Sequence, residues 1–221
     1  MRPGRRQFIR WLSATTGIAF AGAGLGCDIG ETGPSVDSDA RPPTPDADPT
    51  ICIPTTSDAL GPFFEEGAPM RTKIADDTEP GERLFLQAVV VGPDCETPVV
   101  GALVEVWQAD TNGVYYDAGA NYRLRGRATT DSEGKFQVDT IRPGNYTIAA
   151  NSWRPAHLHL TISMAGLATL TTQVYFAGDP FLPPNDGCTT CGSDDPARIV
   201  ELGGDAVAGW SGEITLILAS S

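Results

Sequence analysis

The sequence predicts an all-β fold: a single β-sandwich domain with long loops, preceded by a signal peptide and a disordered tether. Short alternating runs of β-branched and apolar residues recur from residue 51 onward. Clusters of Gly, Pro, Asn and Asp separate these runs, and no stretch keeps a helical period. The 25 glycines and 18 prolines in 221 residues also favour turns and short strands over long helices.

Residues 1–26 are expected to be an export signal. Arg5-Arg6 is followed by Phe8 and a modestly apolar run, which is typical of a twin-arginine leader. An ordinary secretory leader that holds two arginines is the alternative. The predicted location is therefore periplasmic, on the cell surface or secreted. Cleavage fits either the small-x-small segment at 19–21 or a lipoprotein-like site before Cys27, whose thiol would then be acylated.

Residues 27–50 are rich in Pro, Asp, Ser and Thr and nearly free of large apolar side chains. Such a segment cannot bury a core, so it is expected to be a disordered linker. An acylated Cys27 would make the linker a membrane tether, although one acyl chain alone anchors only marginally. The folded domain is expected to span residues 51–221.

Seven segments of this domain read as strands, and turn signals such as Gly92-Pro93-Asp94 separate them. They are residues 83–92, 99–109, 134–141, 145–150, 156–163, 170–178 and 213–219. Seven short strands at this spacing predict a β-sandwich. Residues 179–212 have little periodicity and are expected to form a long excursion with at most one short helix.

Four cysteines remain in the domain, an even number in an exported chain: Cys52, Cys95, Cys188 and Cys191. The C-x-x-C spacing at 188–191 has no second pair to complete a metal site, so a structural disulfide is favoured there. Cys52 and Cys95 would then pair with each other, among the three connectivities that four cysteines allow.

The charge balance is acidic, with 15 Lys and Arg against 28 Asp and Glu and a net charge of −13. Nucleic acid needs a basic surface for its phosphates, and an anionic membrane attracts basic segments. The composition therefore argues against nucleic acid as a partner and against electrostatic membrane binding.

Both histidines of the chain, His157 and His159, stand two positions apart in one predicted strand, so their side chains share a face. The pair is either half of a metal site or two polar residues on a solvated face. Residues 128–148 alone favour a different interpretation. Their Thr-Asp-x-x-Gly-x-Phe and Pro-Gly-x-Tyr patterns are common in prealbumin-like extracellular modules, in which Tyr146 would be structural and the protein a binding or spacer module without catalysis.

Six blocks occur in one order and together resemble the intradiol ring-cleavage dioxygenases, the family of catechol and protocatechuate dioxygenases. They are LGPFFEEGAP (60–69), GALVEVWQADTNGVYYDAG (101–119), LRGRATTDSEGKF (124–136), TIRPGNY (140–146), WRPAHLHL (153–160) and LTTQVYFAGDP (170–180). The resemblance covers residues 55–180. It implies a β-sandwich with one non-haem Fe(III) per chain, which cleaves a small catechol with O2 between the two hydroxyls to give cis,cis-muconate-type products.

The resemblance assigns the iron ligands to Tyr115, Tyr146, His157 and His159, with Tyr116 as a one-place alternative to Tyr115. The chemistry suits this set, because hard phenolate oxygens hold iron in the ferric state and neutral imidazoles complete the coordination. Two phenolates and a hydroxide also balance the three charges of ferric iron. Tyr146 is further expected to take a proton from the substrate.

Two more residues match the family's site. Arg154 is expected to stabilise negative charge that develops on the ring, and Gln173 to orient groups by hydrogen bonding. Their structural alternatives are an ion pair and a cross-strand amide. The segment expected to border the substrate comprises Leu60, Gly61, Pro62 and Phe63, whereas packing roles are expected for Trp107, Trp153 and Tyr175.

Overall fold

The structure is a computed structural model that describes residues 52–117, 119 and 121–221. The predicted leader over residues 1–26, the candidate lipidation site Cys27 and the predicted linker over 27–50 lie outside these residues. Within the described part of the chain, no helix has the length and apolar character needed to cross a membrane.

The described residues form eleven strands, and their bounds are as follows. They are β1 (Arg83–Val91), β2 (Leu103–Gln108), β3 (Arg125–Thr129), β4 (Lys135–Ile141), β5 (Tyr146–Ala149), β6 (Ser152–Arg154), β7 (His157–Ser163), β8 (Leu170–Phe176), β9 (Ile199–Val200), β10 (Gly203–Asp205) and β11 (Gly209–Ile217). A single 3₁₀ turn, Pro196–Arg198, precedes β9.

The strands form two main sheets and one hairpin. One sheet has the order β10-β11-β1-β4, with β1 and β11 parallel; the other has the order β3-β2-β7-β8-β9. Strands β5 and β6 pair only with each other, as a short antiparallel hairpin. The predicted all-β sandwich with long loops is confirmed.

Alternation places the core between the two main sheets. Every second residue of β1, from Leu84 to Val90, is buried in one apolar cluster with Leu158, Leu160 and Ile162 of β7. Successive side chains of a strand point to opposite faces, so the residues of β7 between these three lie on the far side of the five-stranded sheet. That far side carries the candidate site.

The sequence-based strand assignment was incomplete. Four short strands were missed, β3, β6, β9 and β10, and the expected excursion over 179–212 in fact contains β9, β10 and the start of β11. The physical reason is that β3 reads RGRAT, with a glycine and two arginines, while β6, β9 and β10 have three residues or fewer. Such segments carry no alternation that a sequence pattern could reveal.

Two disulfides join the four cysteines of the domain. Cys52 is bonded to Cys95, and Cys188 is bonded to Cys191. The first ties the start of the described chain to the turn that follows β1. The second closes a tight loop within residues 179–198, beside β6.

Candidate metal centre

Both histidines of β7 are buried, each with 2% of its surface exposed. They point away from the sandwich core, yet the face they occupy is covered rather than solvated. Trp107 of β2 stacks on His159 with ring centroids 4.8 Å apart, and Phe64 packs edge-on against Trp107. Trp107 therefore has the packing role expected for it, in contact with a proposed ligand.

Glycine is required where the chain passes over His159. Gly61 has a positive φ of 73°, and a Cβ at this position would lie 3.3 Å from His159 Cε1. Such a contact is tight enough to displace the imidazole or the backbone, so the absence of a side chain at Gly61 lets the segment cover the histidine closely.

The two imidazoles meet through their Nε2 atoms. His157 Nδ1 donates to the Pro155 carbonyl at 2.7 Å, which leaves Nε2 of the neutral ring without a proton. This Nε2 lies 3.2 Å from His159 Nε2. Burial, together with the nearby Arg154 cation, lowers the pKa of His157 to about 3, and burial and His157 lower the pKa of His159 well below its usual value. Both rings are therefore neutral donors at physiological pH.

Two loops bring the tyrosines to the histidines. A Cβ on Gly113, which has a φ of 76°, would lie 2.2 Å from the Asn145 carbonyl oxygen, and one on Gly144 would lie 2.4 Å from the Thr111 carbonyl oxygen. Only glycine permits this backbone approach. It places the rings of the tyrosines that follow, at positions 115 and 146, edge to face with centroids 5.6 Å apart.

Tyr115 and Tyr146 both face the imidazoles. Tyr115 Oη lies 3.4 Å from His157 Nε2, and the rings of Tyr146 and His157 have centroids 5.7 Å apart. Burial raises the pKa of Tyr115 well above its usual value, and the neighbouring Tyr146 adds to the increase. Burial also raises the pKa of Tyr146. Both phenols therefore stay protonated unless a cation stabilises the phenolates.

Tyr116 points elsewhere. Its hydroxyl donates to Asp110 at 2.8 Å, and the Arg123 guanidinium lies over its ring at 3.8 Å from the centroid. The geometry therefore favours Tyr115 over Tyr116 as the group that faces the histidines.

Arg154 lies in a buried polar network beside this cluster. Its Nη2 donates to Gln173 Oε1 at 2.8 Å and to Tyr175 Oη at 2.9 Å, and its Nε lies 3.0 Å from Asp186 Oδ1. Gln173 in turn donates from Nε2 to the Ala59 carbonyl at 2.9 Å. The structure thus has the ion pair considered for Arg154 as a structural alternative, and Gln173 holds the arginine and the 59–63 segment rather than a strand neighbour.

The segment expected to border the substrate is exposed at this side of the sheet. Leu60 and Phe63 have 40% and 38% of their surface exposed, and Gly61 and Pro62 are exposed as well. Phe63 stacks on Tyr115 with ring centroids 4.3 Å apart and an interplanar angle of 6°. The segment therefore lies directly on one of the proposed ligands.

Trp153 has a packing role, but on a loop rather than in the core. This side chain is 38% exposed and stacks on Phe181 of the 179–198 loop rather than on the core, because it lies on the β5–β6 hairpin outside both main sheets. Tyr175 is fully buried, as expected of a packing residue, and its hydroxyl takes part in the arginine network.

Three positioning contacts were missed in the sequence. Buried Arg125 donates from Nη2 to the Phe63 carbonyl at 3.0 Å, Asp179 binds the backbone before His157, and Asp186 pairs with Arg154. In the sequence each of these residues is only a charged residue in a matched block or loop, and a charged residue alone does not indicate which group it binds.

The donor set fits ferric iron. Two buried neutral imidazoles face each other through Nε2, and a phenol oxygen lies close to one of them, with a second phenol beside it. Hard oxygen and borderline nitrogen donors of this kind suit a trivalent first-row ion. In the described residues, no group of three or more His, Cys, Asp or Glu side chains is placed to hold a metal.

Comparisons with known proteins agree with this geometry. A sequence family described as Dioxygenase matches residues 60–198. Chlorocatechol 1,2-dioxygenase of Rhodococcus opacus is 34% identical over 68% of this chain and 68% of its own length. Several other curated relatives, among them catechol 1,2-dioxygenase 2 of Acinetobacter lwoffii, are matched over only about half of their length (51% for that enzyme).

Solved structures give the same picture. The dioxygenase domain of a dioxygenase and carbohydrate-binding protein fusion from Streptomyces sp. SirexAA-E superposes with a TM-score of 0.64 at 32% identity, covering 76% of this chain and all of that one. The structure of 3-chlorocatechol 1,2-dioxygenase from Rhodococcus opacus 1CP superposes with a TM-score of 0.67 at 28% identity, covering 76% of this chain and 73% of that one.

Proposed function

Because this chain belongs to the intradiol ring-cleavage dioxygenase family, we propose that it cleaves 1,2-dihydroxybenzenes between their two hydroxyls with O2. Both oxygen atoms would enter a cis,cis-muconate-type product. One observation carries the proposal: His157 Nε2 lies 3.2 Å from His159 Nε2 and 3.4 Å from Tyr115 Oη, with the ring of Tyr146 beside them. A binding module without catalysis has no need of this convergence.

The proposed ligands of one ferric ion are Tyr115, Tyr146, His157 and His159. When bound, ferric iron supplies electron withdrawal from a catecholate ring, which makes a ring carbon reactive toward O2. The carbonyl of Pro155 fixes the tautomer of His157, an arrangement that orients histidine ligands in many metal sites.

The protein's own groups prepare the substrate. Tyr146 begins the β5 hairpin, which pairs with neither main sheet, and its Oη is the proposed acceptor of a proton from one substrate hydroxyl. Arg154 is Tyr146's direct partner across the hairpin, and its cation would stabilise negative charge developing on the substrate. Gln173 accepts a hydrogen bond from this arginine and donates one to the Ala59 carbonyl. It would thereby fix the position of the substrate-bordering segment relative to the Arg154 cation.

The proposed substrate is a catechol without a ring carboxylate. Among the described residues, the buried arginines around the site already have carboxylate partners: Arg154 has Asp186 at 3.0 Å, Arg198 has Asp58 at 2.6 Å and Arg125 has Glu65 at 3.8 Å. A substrate carboxylate would enter this region without a free cation to balance it, and an uncompensated buried charge is costly. The exposed side chain of Phe63 adds an apolar surface beside Tyr115, which suits an uncharged ring.

We also propose that the enzyme works outside the cytoplasm. Two disulfides in the described domain support an oxidising compartment, in agreement with the export signal read from residues 1–26. In this proposal residues 27–50 serve as the linker, with Cys27 as the candidate site of a lipid anchor. Iron could be loaded before export, since a twin-arginine route carries folded proteins.

Oxygen uptake tests the activity. Iron-loaded protein is mixed with catechol or with protocatechuate, which carries a ring carboxylate, and the products are identified by mass. Uptake of one O2 per catechol, with a ring-opened product that contains both oxygen atoms, is expected, and kcat/KM should be lower for protocatechuate. Colourless protein that binds no iron and consumes no O2 would leave the binding-module alternative.

The visible spectrum tests the ligands. Tyrosinate-to-iron charge transfer should give the holoprotein a deep red colour. The Tyr115→Phe and Tyr146→Phe variants should bleach or shift this band, and Tyr146→Phe should also slow turnover. Tyr116→Phe is the matched control, because its hydroxyl binds Asp110 and should leave the band unchanged. A band lost in the Tyr116→Phe variant and kept in the Tyr115→Phe variant would reverse the assignment.

A further inference from the structure

The Arg154 guanidinium is held on every side by buried groups. Its Nη2 binds the side-chain oxygens of Gln173 and Tyr175, its Nη1 lies 3.0 Å from Cys191 Sγ, and its Nε lies 3.0 Å from Asp186 Oδ1. The side chains of the ion pair are only 6% and 3% exposed. A flexible arginine loses much rotamer freedom in such a setting, so these contacts fix where its charge points.

The position of this guanidinium links two of the proposed ligands. Arg154 is the direct partner of Tyr146 across the β5–β6 hairpin. Gln173, to which it donates, is the direct partner of His159 across β7 and β8. The arginine therefore spans the gap between the hairpin and the five-stranded sheet, at the side of the proposed ligand cluster.

The only carboxylate within ion-pair distance of Arg154 among the described residues is that of Asp186, from the loop over 179–198. The Nε–H is not aimed at the oxygen as a hydrogen bond, so the contact acts through charge. The remaining partners, Gln173, Tyr175 and Cys191, are neutral. Asp186 is thus the group that balances this buried cation, and a buried cation without a partner is strongly unfavourable.

Asp186 itself has little freedom to move. Its Oδ1 accepts from the Cys188 backbone N–H at 2.8 Å, and its Oδ2 accepts from the Ser193 hydroxyl. The residue forms a bridge with Trp153, whose carbonyl accepts from the Gly187 N–H at 2.6 Å. The loop is therefore bound to β6 one residue before Arg154.

The Cys188–Cys191 disulfide completes the arrangement. The backbone N–H of Cys188 donates to Asp186, and the sulfur of Cys191 contacts Arg154, so the bond joins the two cysteines that make these contacts. Both ends of the small loop are thus fixed relative to the guanidinium by one covalent link.

We propose that Asp186, together with the Cys188–Cys191 loop, is a positioning residue that sets the orientation of the Arg154 guanidinium toward the bound ring. The inference rests on the proposed function, because it assigns to Asp186 a share in the charge stabilisation that Arg154 provides. In this proposal Asp186 acts through Arg154, and in the described residues its side chain contacts none of the four proposed ligands. Its removal should therefore affect the chemical step more than binding of the substrate or the iron.

The test uses iron-loaded protein and the isosteric Asp186→Asn variant, which removes the charge and keeps the shape. We expect kcat per bound iron to fall about 10- to 100-fold, the range for a misoriented catalytic group or a lost outer-sphere partner. The Kd for catechol, from an anaerobic spectral titration, the iron content and the visible band should stay unchanged. Asp194→Asn is the matched control: it removes one exposed charge of the same loop that has no described partner.

A double-mutant cycle with Arg154→Gln separates positioning from a general effect. If Asp186 acts through the arginine, Asp186→Asn should have little further effect on kcat in the Arg154→Gln background. An unchanged kcat in the single variant, equal losses in both backgrounds, or loss of iron and colour would each overturn the proposal.

Two further arms keep the outcomes distinct. Asp186→Glu, which retains the charge, should recover part of the kcat lost in Asp186→Asn. If neither variant folds while Asp194→Asn does, Asp186 has a structural role and the proposal is wrong. If the unsubstituted holoprotein consumes no O2 with any catechol, the proposed function itself fails and this inference falls with it.

Discussion

One carboxylate connects the strands that carry two of the four proposed ligands. Asp179 Oδ2 accepts from the Asn145 side-chain amide at 2.7 Å and from the Ala156 N–H at 3.0 Å, and its Oδ1 accepts from the Phe181 N–H at 2.8 Å. Asn145 directly precedes Tyr146, and Ala156 directly precedes His157. Asp179→Ala should therefore loosen a tyrosine and a histidine together, although it touches neither.

The expected size follows from these three hydrogen bonds. A bond to a charged acceptor is worth about 1.5–3 kcal/mol when buried, and about 1 kcal/mol each is appropriate for a half-buried group, which gives about 3 kcal/mol in total. For a domain of this size that loss lowers the Tm by roughly 6–12 °C. Loss of the groups that orient metal ligands commonly weakens metal binding about 10- to 100-fold, and we expect that range for iron.

Thermal unfolding of the iron-free protein gives the stability term, and competition with a ferric chelator gives the iron affinity. Asp205→Ala is the control, because Asp205 also accepts two backbone N–H groups, but in the β10–β11 turn of the other sheet. The control should leave iron affinity unchanged. An Asp179→Ala protein that binds iron as tightly as the Asp205→Ala control would refute the idea that this carboxylate orients the ligands.

Two other predictions concern the surroundings of the site and the start of the domain. Gly61→Ala should lower the stability of the fold by about 1–2 kcal/mol, because alanine is strained at this positive φ, and the new methyl group should push against His159. We therefore expect the visible band to shift and iron to dissociate faster. An unaltered spectrum and an unaltered iron off-rate would contradict the close packing. Replacing Cys52 and Cys95 by serine opens a loop with a sequence separation of 43 residues. The loss of this constraint on the unfolded chain should lower the free energy of unfolding, measured in urea, by about 4 kcal/mol and leave kcat unchanged. A parallel loss of kcat would show that this disulfide also supports the site.

The sequence was informative where a residue's role depends on its immediate neighbours. Alternation in β1 and β7 predicts which face of each strand lies in the core. The two-residue spacing of His157 and His159 predicts that both lie on the other face of β7. Gly113 and Gly144 lie in sequence blocks that predict turns. The structure shows that each glycine allows a close approach between the loop at 111–113 and the loop at 144–145.

Partners that meet through long loops could not be predicted in the same way. Asp186 lies in a segment with no periodicity, so nothing local indicates that its carboxylate reaches Arg154. The same holds for Arg125, whose guanidinium crosses from β3 to the Phe63 carbonyl. Charged residues are usually solvated, and only the fold reveals which of them are buried and paired.

The β7 strand explains why alternation was ambiguous at the site. In most strands an alternating pattern means one buried and one solvated face, and on that rule the histidines of HLHLTIS should face water. Here the second face is buried by loops instead of by another sheet: Gly61 lies over His159, and Phe64 and Trp107 close the side. Polar side chains on such a face are kept from water without a second apolar layer. A His-x-His strand therefore indicates a site only when the chain also supplies a segment that covers it, and that segment was visible here as the matched block over residues 60–69.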